Sequence, residues 1–119
     1  MDDRKLLLTD LSARFPYNVA LNCKDKYDDK VNFTRYLTSD SDILSQLFYD
    51  DCMWTYQPYL YPLSSMTEEQ NLEYLHTCKG GNASVPTLAS FDWFNKNHFD
   101  YRGLIEQGLA IDATNLNIY

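Results

Sequence analysis

The sequence predicts a single α+β domain: an N-terminal helix, a small antiparallel sheet of three to four strands, and a helical C-terminal half. Three observations predict this order. Apolar residues recur at helical spacing in 3–14, apolar and polar residues alternate between 18 and 37, and helix-start signals follow residue 64. The 119 residues suit one domain, which can bury a core without disulfides.

Residues 3–14, DRKLLLTDLSAR, form the predicted first helix. Leu7, Leu8 and Leu11 fall on one face at helical spacing. Pro16 is expected to end the helix, because the residue before a proline avoids helical geometry.

Residues 18–37 are predicted to form a β-hairpin. Apolar side chains alternate with polar or small ones in NVALNCK and again in VNFTRYL, where Arg35 interrupts the apolar side. The charged stretch between them, KDKYDDK, is typical of a solvated loop. Residues 43–49, ILSQLFY, fit a helix or a third strand, and we prefer the strand; DDCMWTYQ would extend the same sheet.

The stretch YQPYLYP contains two prolines four residues apart. Since each removes a backbone donor, we expect neither a helix nor a central strand here, but an extended crossing between the sheet and the helices. In an extended chain Tyr56, Tyr59 and Tyr61 cannot all face inward, so at least one is expected to be exposed.

The next stretch, SSMTEEQ, contains two overlapping capping boxes, Ser65 with Glu68 and Thr67 with Gln70. They predict a helix that is ended by Gly80–Gly81. Its inner face is predicted to carry Leu72, Leu75 and Cys78.

Residues 90–108 are predicted to form two short helices that join near His98. Ser90 would cap the first helix and Asp100 the second. LAIDA, residues 109–113, is a candidate final strand. The remaining stretch, TNLNIY, offers two residues for docking, Ile118 and Tyr119.

The net charge of −7 argues against general nucleic-acid binding, because an acidic chain repels phosphate backbones. The three cysteines are odd in number and form no CxxC motif, which favours reduced thiols in a cytoplasm. The opening MDDRKLLLTD does not resemble a signal peptide, and no apolar run has membrane-spanning length. We therefore expect a cytoplasmic protein without a membrane association.

No local motif indicates catalysis, and we assign no catalytic residue. A nucleophile elbow and a glycine-rich phosphate loop are both missing from the sequence. His76 and Cys78 would point about 200° apart on a helix, so they cannot share one ion. We expect neither a metal nor a cofactor.

Aromatic residues make up 15% of the chain and carry its strongest positive signal. They fit a packed core, and they also fit a partner-binding surface, because interface cores are enriched in amphipathic aromatic residues. The interaction candidates are Trp54, Tyr56, Tyr59, Tyr61, Phe99 and Tyr101.

Three blocks resemble an uncharacterised family of small proteins from gut Bacteroidales genomes and their phages and prophages. The blocks are LSARFPY at 11–17, PYLYPLSSMTEE at 58–69 and DWFNKNHFDYRGLIEQGLAIDA at 92–113, about a third of the chain. One departure is Tyr61, where similar sequences often carry a basic residue. The resemblance implies a bacterial cytoplasm and a mobile-element context, but no activity and no binding residue.

These observations predict a non-enzymatic protein-interaction or accessory protein, encoded by a phage or prophage, with an unknown protein partner or a second copy as its ligand. Two alternatives remain open at this stage. One is a small enzyme that uses Cys52, His76 or His98 with an acid. The other is an acidic mimic of nucleic acid.

Overall fold

A computed structural model describes residues 3–28, 30–37 and 54–119. The predicted α+β class is confirmed, whereas the predicted strand at 43–49 lies outside the described residues. The helices and strands, in chain order, are α1 (Asp3–Arg14), β1 (Ala20–Asp25), β2 (Asn32–Tyr36), β3 (Trp54–Pro62), α2 (Glu68–Thr77), α3 (Leu88–Lys96), β4 (Phe99–Asp100) and β5 (Ile111–Asp112).

The sheet is antiparallel in its first three strands and parallel in its last two. β1 pairs antiparallel with β2 and with β3, where Leu21 lies opposite Pro58. β4 and β5 both run parallel to β3. The predicted antiparallel sheet therefore holds for β1 to β3, and the later strands are parallel because α2 and α3 form a crossover that returns the chain in the same direction.

The expectation that two prolines exclude a central strand is wrong, because Pro58 and Pro62 both lie in β3. The oxygen of Leu60 accepts a hydrogen bond from the residue after β5, so even-numbered residues of β3 direct their backbone groups towards β5. β1 lies on the other side, where Tyr59 O and Ala20 N meet one shared hydroxyl. At Pro58 and Pro62 the side of the backbone that would carry an N–H donor in another residue therefore faces away from β1.

Helix α1 has the predicted bounds, and Pro16 follows it in a 3₁₀ turn. The helix places Leu7 and Leu11 against the face of the sheet that carries Leu21 and Tyr56. The buried core also contains Val19, Cys23, Leu37, Leu60, Leu104 and Ala110. Burial of an aliphatic side chain contributes roughly 1.5–3 kcal/mol, so this layer supplies much of the folding free energy of the N-terminal half.

Helix α2 starts at the second of the two predicted capping boxes. The backbone N of Gln70 donates to Thr67 Oγ1 at 3.1 Å, and the backbone N of Thr67 donates to Gln70 Oε1 at 2.9 Å. The predicted inner position of Leu72 is wrong, since this side chain is 60% exposed. Tyr74 turns inward instead and stacks on Phe94 of α3 at 4.9 Å between ring centroids, because the aromatic surface of α3 decides which face of α2 is covered.

The region after α2 differs from the predicted pair of short helices. α3 begins before Ser90, whose Oγ accepts a hydrogen bond from Thr87 N at 2.9 Å. The second predicted helix is wrong, since Asp100 ends β4 and its carboxylate accepts from Leu104 N and Ile105 N, each at 2.9 Å. These bonds hold a compact turn in place of a helix. The predicted strand in LAIDA is confirmed as β5.

A fully buried ion pair joins the two halves of the chain. Asp10 and Arg14 are both 0% exposed, and Arg14 Nε donates to Asp10 Oδ2 at 2.8 Å. Arg14 Nη2 also donates to the backbone oxygen of Phe99 in β4 at 2.7 Å. Arg102 Nε donates to the other carboxylate oxygen of Asp10 at 3.1 Å. The carboxylate of Asp10 is thus held between two guanidinium groups, one from each half.

Replacing Asp10 with Asn should lower the free energy of unfolding by about 3 kcal/mol, because Arg14 stays buried without its counter-charge. Urea denaturation at pH 7 measures this loss. Asp3→Asn, at the exposed start of α1, is the matched control and should cost less than about 1 kcal/mol. Equal losses in the two variants would contradict a structural role for the buried pair.

Candidate functional site

Most aromatic residues of the C-terminal half belong to one connected group, called here the aromatic cluster. Its rings lie 4.9 to 6.5 Å from their neighbours, measured between centroids, except for one closer pair of 3.7 Å. The members are Tyr61, Tyr74, Phe91, Trp93, Phe94, His98, Phe99, Tyr101 and Tyr119. Aromatic pairs contribute roughly 0.5–1.5 kcal/mol beyond their buried area, so this cluster is mainly a packing element.

The cluster also meets the buried ion pair. The guanidinium carbon of Arg14 lies 5.4 Å from the ring centroid of Tyr101, and that of Arg102 lies 4.9 Å from it. Arg102 Nη2 additionally donates to the hydroxyl of Tyr101 at 3.0 Å. Tyr101 therefore serves as a neutral aromatic partner for two cations, an arrangement that stabilises their positive charge.

The six predicted interaction residues fall into two groups. Tyr56 and Phe99 are buried, with 2% and 1% of their surface exposed, and offer no surface to a partner. The other four, Trp54, Tyr59, Tyr61 and Tyr101, are half-buried. Tyr59 and Tyr61 lie on the opposite face of β3 from Tyr56, as the alternation of an extended strand requires, although neither is fully exposed.

Exposed apolar side chains gather at the loop end of the β1–β2 hairpin. Val31 and Phe33 are 42% and 44% exposed, and Tyr27 in the connecting loop is 84% exposed. The ring of Phe33 meets Trp54 edge to face at 5.3 Å. Tyr27, Val31, Phe33 and Trp54 are called here the hairpin patch.

Sequence reasoning identified only Trp54 among the four members of the hairpin patch. Val31 and Phe33 occupy apolar positions of an alternating strand, a pattern that predicts core residues. The strand pairing explains their exposure. Phe33 lies opposite Cys23, which is buried, but among the described strands β2 pairs with β1 alone and lies one position farther from β3. The alternation of apolar and polar residues in a strand does not show whether that strand lies in the middle of the sheet or towards its edge.

A second feature that sequence reasoning missed is the contact between His98 and Tyr119. Their rings are nearly parallel, with 3.7 Å between centroids and 7° between planes. The hydroxyl of Tyr119 accepts from Ala20 N at 2.9 Å and donates to Tyr59 O at 2.7 Å. Burial raises the pKa of the Tyr119 phenol well above its usual range, so the hydroxyl keeps the proton that it donates.

His98 occupies an unusual backbone conformation directly after α3. Its φ is 63°, a left-handed value that glycine adopts freely and that costs other residues about 1–2 kcal/mol. Its Nδ1 is buried, and no described residue forms a hydrogen bond with it. Burial and, to a lesser extent, the positive charge of Arg14 together lower the pKa of His98 from 6.5 to about 4. His98 is therefore neutral at pH 7.

One shallow cavity of about 260 Å³ lies beside α2. It is lined by Leu72, Leu75, His76, Cys78 and Gly81, so the structure brings His76 and Cys78 to one depression. The sulfur of Cys78 is engaged elsewhere, with Tyr74 O at 3.5 Å and Ser90 Oγ at 3.7 Å. The lining includes no carboxylate, so it lacks the acid that a Cys–His or His–acid site requires.

In residues 3–28, 30–37 and 54–119, no three His, Cys, Asp or Glu side chains come together in a way that would hold a metal ion. The helices in that part of the chain are too short or too polar to cross a lipid bilayer.

The fold and its surfaces define an α+β domain with an aromatic interior and an exposed hairpin patch. Comparison with known proteins adds no family to this description: no protein-family model matches the chain, and neither a curated protein nor a solved structure does.

The pH dependence of stability should report the state of His98. In the unfolded chain the histidine binds its proton near pH 6.5, whereas in the folded chain it does so near pH 4. The contribution of neutral His98 to the free energy of unfolding is thus fully present above pH 6.5. The free energy of unfolding should fall by about 2 kcal/mol as the pH drops from 6.5 to 4. Urea denaturation between pH 4 and pH 7 measures the effect.

His98→Asn removes the titrating group while keeping a residue that tolerates left-handed φ. Its unfolding free energy should therefore depend less on pH in this interval than that of the unmodified chain. His76→Asn, at an exposed position of α2, is the matched control and should retain the original pH dependence. An unchanged profile in His98→Asn would refute the assignment.

Proposed function

We propose that this chain is a non-enzymatic protein-interaction module that binds a protein partner through the hairpin patch. The observation that carries the proposal is the exposure of Tyr27, Val31 and Phe33 beside Trp54. Large apolar side chains that gather on a surface are typical of protein-binding sites, and aromatic anchors contribute most of the binding energy there.

The packing of the other aromatic residues supports this choice of surface. The rings of the aromatic cluster contact one another and the buried arginines, so their structural role accounts for their presence. Within the described residues the hairpin patch is less completely packed, because Phe33 and Val31 remain more than 40% exposed although they belong to a paired strand and its flank. Aromatic surface of this kind is stabilised by burial against a partner.

The partner that fits this patch is a protein. The net charge of −7 disfavours a nucleic-acid backbone. The exposed Tyr27 and Phe33 and the half-buried Trp54 instead match the composition of protein interfaces. A stable interface buries about 1,000 Å² or more, so the partner would extend beyond these four side chains. The resemblance to proteins of gut Bacteroidales and their phages supports an accessory role in a bacterial cytoplasm.

The enzyme alternative has less support. The cavity beside α2 is shallow, mostly apolar and without a carboxylate. His98, another candidate, is half-buried against Tyr119 and close to a positive charge. Cys52, the third candidate, lies outside the described residues. A general base needs a reachable nitrogen and a pKa near neutral, and His98 has a pKa of about 4.

The proposal predicts that polar substitution of the hairpin patch abolishes partner binding without unfolding the domain. The double variant Val31→Thr/Phe33→Thr places β-branched residues, which suit a strand, at both positions while it removes most of their apolar surface. Affinity capture from phage-infected and uninfected host cells, read by quantitative mass spectrometry, should show at least one protein that the unmodified chain retains and the variant loses by tenfold or more.

Leu88→Thr is the matched control, because Leu88 is 84% exposed but lies at the start of α3 rather than in the patch. This variant should capture the same protein as the unmodified chain. Thermal denaturation checks that all three proteins are folded. Loss of the partner in both variants, or retention in both, would exclude the hairpin patch as the binding surface.

A further inference from the structure

The hydroxyl of Tyr119 occupies a defined position at the end of the β1–β3 ladder. The last pair of that ladder joins Leu21 and Pro58, and the next pair along would join Ala20 and Tyr59. In place of a direct bond between those two, Ala20 N donates to the hydroxyl at 2.9 Å and the hydroxyl donates to Tyr59 O at 2.7 Å. The phenol thus continues the ladder by one donor and one acceptor.

This position is chemically selective for tyrosine. The two strands present one donor and one acceptor to the same atom, and a phenolic hydroxyl satisfies both. Phenylalanine would fill the same space but leave both backbone groups without their partner, which is unfavourable in a partly buried site. The site therefore distinguishes two side chains of nearly equal size by a single oxygen atom.

The ring of Tyr119 has its own binding surface. His98 stacks on it at 3.7 Å between centroids, and Tyr61 lies 5.8 Å away at 56°. His98 holds a left-handed φ of 63° that would suit glycine better. Ala20 N, Tyr59 O, Tyr61 and His98 are called here the tyrosine slot.

The segment that carries Tyr119 is held mainly by this one side chain. Thr114 to Asn117 are exposed, and the backbone hydrogen bonds of Thr114 and Leu116 are local, to Asp112 Oδ1 and Ala113 O. Asn115 and Asn117 both have left-handed φ values, of 68° and 53°. Tyr119 itself is 41% exposed, and Ile118 before it is half-buried. A segment that is mostly exposed, with local backbone bonds and so little buried surface, can leave its site without disturbing the rest of the domain.

We propose that the tyrosine slot is a receptor for residues 114–119 of a second copy of this chain, so that two copies exchange these segments. In this structure the tyrosine slot is occupied by residues 114–119 of the same chain. A second copy carries the same six residues, so its segment fits the slot equally well. Exchange of an identical element is a low-cost route to a dimer. The inference is independent of the hairpin patch and of its partner.

Exchange leaves every slot contact unchanged, so substitutions in the slot do not by themselves alter the balance between one copy and two. In a decisive experiment, the slot of one chain can no longer be filled by residue 119 of the same chain, so only the segment of a second chain competes for it. Tyr119→Ala keeps an intact slot but has no anchor, whereas His98→Gly keeps the anchor but lacks the stacking surface, with glycine favoured at this φ. Each protein alone should be monomeric, and an equimolar mixture should contain a heterodimer.

Native mass spectrometry separates the two variants and their heterodimer by mass. The expected result is a heterodimer at least tenfold more abundant than either homodimer. A statistical mixture, or monomers only, would overturn the exchange.

A second measurement keeps the inference testable even if Tyr119→Ala is unstable. The amidated peptide ATNLNIY, residues 113–119, should raise the melting temperature of Tyr119→Ala in a concentration-dependent way, since a ligand of the folded state stabilises it. The peptide ATNLNIF is the matched control. It should need a concentration at least ten times that of ATNLNIY to produce the same shift in melting temperature. Neither peptide should shift the double variant Tyr119→Ala/His98→Gly.

Equal shifts with both peptides would contradict a slot that selects tyrosine, as would an equal shift in the double variant. Loss of heterodimer formation in the mixture would leave the hairpin patch and its partner unaffected. Failure of the exchange is therefore distinguishable from failure of the proposed protein-interaction function.

Discussion

The architecture depends on the buried charge of Arg14. A guanidinium with no solvent exposure is stable only where its charge and its donors find partners, and these come from both halves of the chain. Asp10 supplies the counter-charge from the same helix, and the oxygen of Phe99 accepts from 85 positions further along the sequence. Helix α1 therefore reaches its final position only when β4 is in place, which couples the N-terminal and C-terminal halves into one cooperative unit. Nη1 has no partner among the described residues, so the site holds a charge that is only partly satisfied.

Around this charge the C-terminal half is built from rings where other small domains use branched aliphatic side chains. α2 contributes Tyr74, α3 contributes Trp93 and Phe94, and β4 contributes Phe99. Flat rings in edge and stacked contacts allow two short helices to pack closely on a strand of only two residues. Hydroxyl groups add a second bond between α2 and α3, since Thr77 Oγ1 donates to Ser90 Oγ at 2.9 Å and Thr87 Oγ1 donates to Thr77 O at 2.6 Å. The aromatic residues thus pack the interior of the C-terminal half, whereas those at the hairpin contribute to the surface.

Local patterns predicted local structure, and long-range contacts decided the rest. Helix α1 and the capping box at Thr67 follow from neighbours within four residues, and the β1–β2 hairpin from the alternation within each strand; all three were predictable. The inward turn of Tyr74 and the compact turn after Asp100 depend on partners that no spacing rule identifies. The same limit applies to the two surfaces. Trp54 was predicted from composition, but the exposure of Phe33 depends on the order of the strands, and the contact between His98 and Tyr119 depends on the tertiary fold.

The positions of Pro58 and Pro62 have a consequence for aggregation. Of the five even-numbered residues of β3, two are prolines, so the side of this strand that faces β5 lacks two of five donors. A foreign strand that approached this side after detachment of β5 would find its hydrogen-bonding ladder interrupted at regular intervals. Amyloid growth requires an unbroken row of donors and acceptors along the template strand. The longest strand of the described sheet therefore carries its own gatekeepers, Pro58 near its middle and Pro62 at its end.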